Sequence, residues 1–116
     1  MKKRSAQICP RYQAAMEVLG KRWTGLILNV LMHGPRRFSE IATLLEAVSD
    51  RVLSERLKEL ESEGILERRP AADAPGRVQY QLTDKGHALR SVVGSIERWA
   101  TEWVELPAAP RRRKTG

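Results

Sequence analysis

Residues 39–64 read SEIATLLEAVSDRVLSERLKELESEG, and this stretch decides the fold. Ser39 is placed to N-cap a short helix, with Glu40 favourable in its first turn and Ile41, Leu44 and Leu45 facing inward. Glu46, Ala47 and Val48 make a brief turn. Ser49 then caps a longer helix that has Asp50 in its first turn, runs to Glu63 and is closed by Gly64. Projected at about 100° per residue, Leu53, Leu57 and Leu60 share one narrow arc, while Arg51, Ser54, Glu55 and Lys58 cluster opposite. A short helix, a turn of a few residues and a longer helix form the helix-turn-helix signature.

Upstream, Cys9 to Gly20 predicts a first helix, with Pro10 suited to its first turn and Ala15, Met16 and Leu19 on one face. Trp23, Leu26, Ile27, Val30 and Leu31 recur at helical spacing and predict a second, stopped by His33, Gly34 and Pro35. Arg36, Arg37 and Phe38 leave room only for a short extended stretch. Downstream, the period changes at Gly64. Ile65 to Arg69 is extended, and Val78, Tyr80 and Leu82 alternate with Arg77, Gln79 and Gln81 as a half-buried strand. Pro70 to Gly76 are turn formers with no core residue, so a hairpin with a long exposed tip is expected. Thr83 caps a last helix on which Leu89, Val92, Val93, Ile96, Ala100 and Trp103 mark one face.

The expected architecture is α+β, mainly α with a small β-hairpin: a winged helix-turn-helix with additional N- and C-terminal helices that form a dimer interface. Residues 1–8 read as a basic arm and 9–106 as the domain. Within it the helix-turn-helix spans about 39–63, the wing about 65–82 and a C-terminal dimerisation helix about 84–104. Residues 107–116 read as a disordered basic tail.

Composition excludes more than it assigns. At 116 residues, 41% hydrophobic and 30% charged, the chain suits one soluble domain. No apolar run can span a bilayer, so no membrane partner is expected. The basic N-terminus precedes no apolar stretch of a secretory signal, which makes the cytoplasm the expected address. One cysteine permits no internal disulfide. Cys9, His33 and His87 make no zinc cluster; no Gly-rich phosphate loop or Ser/His/Asp grouping exists, and neither an enzyme nor a cofactor is expected. The net charge of +7 points towards polyanions. Yet Lys2, Lys3, Arg4, Arg111, Arg112, Arg113 and Lys114 account for the whole excess, so position must carry the argument instead of total charge.

On the longer helix, Arg51 stands near the N-terminus, where a helix in the major groove reaches deepest, and suits a guanine edge. Ser54 suits a base or a phosphate, Lys58 suits phosphate, and Ser49 at the helix start is counted with them as DNA-binding. Glu55 can accept from cytosine or simply orient Arg51 or Lys58. Arg36 and Arg37 can clamp phosphate, and Arg68, Arg69 and Arg77 near the hairpin ends can meet backbone or minor groove. Each position also has a plainer reading, because any amphipathic helix or exposed strand edge carries solvated charge.

The order of these residues resembles the HxlR-type winged-helix regulators of bacteria. The likeness runs through Cys9-Pro10, Gly20-Lys21-Arg22-Trp23-Thr24, Leu26-Ile27-Leu28 and Arg37-Phe38-Ser39-Glu40-Ile41. It continues through Ser49, Leu53, Leu57, Leu60, Gly64-Ile65-Leu66 and Arg77-Val78-Gln79-Tyr80-Gln81-Leu82-Thr83, and ends on Gly86. Gly76 stands where the family usually has a second wing proline, which is expected to loosen the tip. The arginine-rich tail is outside the family pattern. The resemblance implies sequence-specific regulation of transcription by a homodimer whose terminal helices pair, and whose recognition helices read a pseudo-palindrome in double-stranded DNA.

Some members of this family sense oxidants or electrophiles through a cysteine near the N-terminus, the place Cys9 occupies. A helix N-terminus and Arg11 favour a thiolate there, and any disulfide must be intermolecular. The plainer reading is a cysteine that packs or caps. Without redox input, the effector is a small molecule at the dimer seam, or there is none. Trp99 and Trp103 lie beyond the reach of a compact core; with Val92 and Ile96 they call for a partner chain, with Met16 and Leu19 as neighbours across the seam. The alternatives are a winged-helix protein-interaction module and a non-specific nucleic-acid binder.

Overall fold

The computed structural model describes residues 8–107. The basic arm at 1–8 and the tail at 107–116 thus fall outside the described residues, except for Ile8 and Pro107. Six helices and one hairpin follow in the order α1 (Pro10–Leu19), α2 (Thr24–Leu31), α3 (Phe38–Leu44), α4 (Asp50–Ser62), β1 (Leu66–Pro70), β2 (Val78–Leu82), α5 (Asp84–His87) and α6 (Arg90–Trp103).

The core forms around α4. Leu53, Leu57 and Leu60 are buried with Ile27, Leu28 and Leu31 of α2, Ile41 of α3, Val48, Ile65, Leu66 and Leu82. Ser49 Oγ accepts the Val52 N–H at 3.1 Å and starts α4. Gly64 ends it at φ +76°, a left-handed geometry that glycine adopts without strain.

Two helices present different faces from those expected. On α2 the buried set is Thr24, Ile27, Leu28 and Leu31, whereas Leu26 is 51% exposed. The helix is apolar on most of its surface, so its inward face is selected by packing and not by pattern. Trp23 stands just before it at φ 79°, the one non-glycine residue with positive φ among those described. Helix α3 is capped by Arg37 instead of Ser39, because the Glu40 carboxylate accepts the Arg37 N–H at 2.8 Å. Its inward arc is Phe38, Ile41, Ala42 and Leu45; Leu44 lies about 110° round the helix and is exposed.

Strands β1 and β2 pair antiparallel from Leu66↔Leu82 to Pro70↔Val78. Arg36 adds one rung, with N–H···O bonds exchanged with Tyr80 at 3.0 and 2.8 Å. The hairpin tip is exposed at Ala72, Asp73, Pro75 and Gly76, as expected, but it does contain one core residue and is held by hydrogen bonds. Ala71 is buried, its N–H donates to Arg77 O at 2.9 Å, and the Arg77 N–H donates to Ala74 O at 2.9 Å. Gly76 lies in this tip at φ +82°, which a proline cannot adopt, so the glycine fits a closed turn and does not loosen it.

The expected last helix at 84–104 is two helices. Thr83 Oγ1 accepts the Gly86 N–H at 3.2 Å and caps α5. Gly86 packs so close to the Ile65 carbonyl that a Cβ would collide with it, which pins α5 to the wing. Between α5 and α6, Leu89 N–H bonds to Gly86 O, a three-residue turn, with Ala88 and Leu89 both in the right-handed helical region. On α6, Glu97 Oε2 accepts from the Asn29 amide of α2 at 2.6 Å.

Candidate nucleic-acid interface

The exposed side of α4 follows from its buried side. With three leucines turned into the core, Arg51, Glu55 and Lys58 face solvent and Ser54 is half-buried. The Arg51 side chain is 80% exposed, and its Nη1 lies 3.3 Å from Glu55 Oε2. This i,i+4 pair holds the guanidinium along the helix while leaving donors free. Lys58 has no carboxylate at ion-pair distance among the described residues. The Ser49 oxygen is used in the cap, but its hydroxyl proton remains available. Arg56 differs: its Nε donates to Arg22 O at 3.0 Å and its Nη1 meets Glu59 Oε1 at 3.4 Å. Lys21 Nζ joins the same Glu59 at 3.2 Å, so this side of α4 is bolted to the α1–α2 turn.

Arg36 and Arg37 line a cleft between the start of α3 and the wing, together with Ser39, Thr43 and Gln79. Sequence reasoning did not assign Ser39, Thr43 or Gln79 to this site, because the single Arg36–Tyr80 rung that brings the wing here has no sequence signature. Arg36 Nη1 donates to Pro35 O at 3.0 Å. Arg37 is partly engaged, with Nη2 3.6 Å from Glu40 Oε2 and a buried Nε that has no partner among the described residues.

On the wing the arginines divide. Arg68 Nε meets Glu61 Oε2 at 2.9 Å and Arg69 Nε meets Glu67 Oε2 at 3.3 Å, so local carboxylates balance both. The Gln81 amide and then Arg69 hold the Glu67 carboxyl below its ordinary range, while burial pushes the Tyr80 phenol up. Arg77 is exposed and has no ion pair among the described residues.

Cys9 is exposed and occupies the N-cap of α1 without a side-chain capping bond. Met16, Val92, Ile96, Trp99 and Trp103 are exposed. Leu19 is half-buried against its own core and is only partly available to another chain. Ile8, Tyr12, Val104 and Leu106 extend the exposed apolar set beyond the residues expected from sequence. Among the described residues no group of three or more His, Cys, Asp or Glu side chains is placed to hold a metal ion. Among the same residues no helix is long and apolar enough to cross a membrane.

Comparison with known proteins places these features. The family described as HxlR-like helix-turn-helix matches residues 18–107. The HTH-type transcriptional regulator YvaP of Bacillus subtilis (strain 168) is 50% identical over 100 residues, which cover 86% of this chain and 93% of that protein. The reduced form of the transcriptional regulator YodB from B. subtilis superposes with a TM-score of 0.74 at 45% identity, covering 85% of this chain and 97% of that one. Its quinone-bound form gives 0.71 at 45% identity, covering 83% of this chain and all of that one. This chain belongs to the HxlR-like helix-turn-helix family of transcriptional regulators.

Proposed function

We propose that the chain acts as a homodimer in the cytoplasm, with no catalytic activity, and that each protomer lays α4 in the major groove of one half of a pseudo-palindromic operator. The observation that carries this reading is the capped α4, with its leucines spent on the core and Arg51, Ser54, Glu55 and Lys58 on its free side. Arg51 is assigned to a base edge, with Glu55 as its orienting partner. Ser49, Lys58, Arg36, Arg37 and Arg77 are assigned to phosphate, where they set register and affinity. The exposed apolar side chains of α1 and α6 are assigned to the partner protomer.

Cys9 is assigned to sensing, supported by its exposure and by the likeness to a regulator crystallised with a quinone. The thiolate would add to a ring carbon of the quinone, forming a C–S bond. The ring takes up the electron pair, and the thiol proton and displaced ring hydrogen end on its two oxygens, leaving a thioether hydroquinone.

Site selection from random duplexes with purified protein, followed by competition against random DNA over a range of salt, tests the reading. A selected site that binds at least about 10³-fold more tightly than random duplex is expected. A protein-interaction module would bind neither, and a non-specific binder would bind both alike with the same salt slope.

A further inference from the structure

A cleft of about 630 Å³ lies between α1 and the junction where α4 gives way to the wing. Ala15, Val18 and Leu19 of α1 face Ile65 and Leu89 across it. Helix α1 has no buried residue, so it rests against the body without filling this space. The volume falls within the roughly 300–1,000 Å³ of small-molecule sites, and an apolar lining with few charged groups is their usual composition.

Ala14 and three charged residues, Arg11, Glu63 and Lys85, complete the lining. Lys85 Nζ donates to the Glu63 carbonyl at 2.6 Å, which fixes the ammonium at the cleft and leaves two protons for another acceptor. Arg11 has no carboxylate at ion-pair distance among the described residues. Two cations against one carboxylate favour a singly charged anion and disfavour a cation.

We propose that this cleft binds a small apolar monocarboxylate, with its ring or chain among Val18, Leu19, Ile65 and Leu89 and its carboxylate held by Arg11 and Lys85. On α1 the mean direction of Tyr12 and Met16 lies about 110° round the helix from that of the cleft residues, with Leu19 between the two sides. A bound anion bridges the helix whose N-cap is Cys9 and the C-cap of α4, Glu63. Its use as an effector rests on the DNA-binding reading, whereas binding itself does not.

Phenylacetate added to the full chain, with phenylacetamide as the neutral control, tests the site by methyl NMR and calorimetry. For a ligand of about 10 heavy atoms, saturable binding near millimolar Kd is expected. The shifts should centre on Val18, Leu19, Ile65 and Leu89, and phenylacetamide should bind at least about tenfold more weakly. Arg11→Gln should weaken phenylacetate by a similar factor, and Ala15→Leu should block it, both with unchanged melting and sedimentation. Shifts centred elsewhere, equal binding of acid and amide, or indifference to both substitutions would overturn the proposal. Failure to bind removes the site and leaves the DNA-binding reading intact. Binding that leaves operator affinity unchanged removes the effector role alone.

Discussion

Helices α4 and α6 are built on the same plan, an apolar stripe on a charged helix, yet the molecule uses them in opposite ways. On α4 the stripe is consumed: Leu53, Leu57 and Leu60 are at most 1% exposed. On α6 only Val93, Gly94 and Ala100 are partly covered, and Ile96, Trp99 and Trp103 stand 61, 60 and 66% exposed. A stripe states that cover is needed without stating whose. Where the chain itself supplies the cover, the opposite polar side becomes the outward working surface. Where it does not, the apolar side is that surface.

Truncating the consumed stripe gives the largest effect. Leu57→Ala should cost about 2–5 kcal/mol of stability, read from the midpoint of denaturant unfolding. A loss below 1 kcal/mol would show that α4 is not the keel of this core. The exposed stripe should respond differently. Trp99→Asp with Trp103→Asp should leave the circular-dichroism spectrum largely intact while converting dimer to monomer in sedimentation, with operator binding much weakened. Loss of the fold itself would mean that the α6 tryptophans belong to the monomer core.

On the polar side of α4, Arg51→Ala should cost about 1–3 kcal/mol on the best operator and relax preference at one base pair per half-site. Unchanged affinity and preference in a folded variant would remove α4 from the groove. Cys9→Ser should bind the operator as the parent does but no longer release it on quinone treatment. Equal release from both proteins would place sensing elsewhere.

The smallest effect concerns the wing. The Gln81 amide and Arg69 hold the Glu67 carboxyl below its ordinary range, so its stabilisation is complete above the unfolded carboxylate pKa and is lost as pH falls through the folded value. Glu67→Gln should therefore lower Tm slightly at neutral pH, and the difference from the parent should vanish in acid. A difference that grows in acid would contradict this assignment.

What was legible in the sequence was the part governed by local chemistry. The Ser49 cap, the α4 leucines, the Gly64 stop, both wing strands and the Thr83 cap follow from nearest neighbours along the chain. Decisions made between elements were not legible. The inward face of α2 depends on which neighbours it meets, since Leu26 and Leu28 are equally apolar. The α3 cap moved to Arg37 because Glu40 reaches back to a backbone N–H, a bond that any residue at 37 other than proline could donate. The break at Ala88–Leu89 follows the close approach of Gly86 to Ile65 O, a contact between distant residues. At the site, Arg51 and Lys58 were identifiable as exposed. The neutralisation of Arg68 by Glu61, and of Arg69 by Glu67, needed the packed hairpin.

Hydroxyl-radical footprinting of the protein on its selected operator, with the bound mass measured on the same complex, tests the central claim most directly. The account predicts two protomers bound and two protected patches related by a pseudo-two-fold, about 34 Å or a multiple of it apart along one side of the duplex. A single protected patch under one protomer, or uniform protection indifferent to sequence, would contradict it.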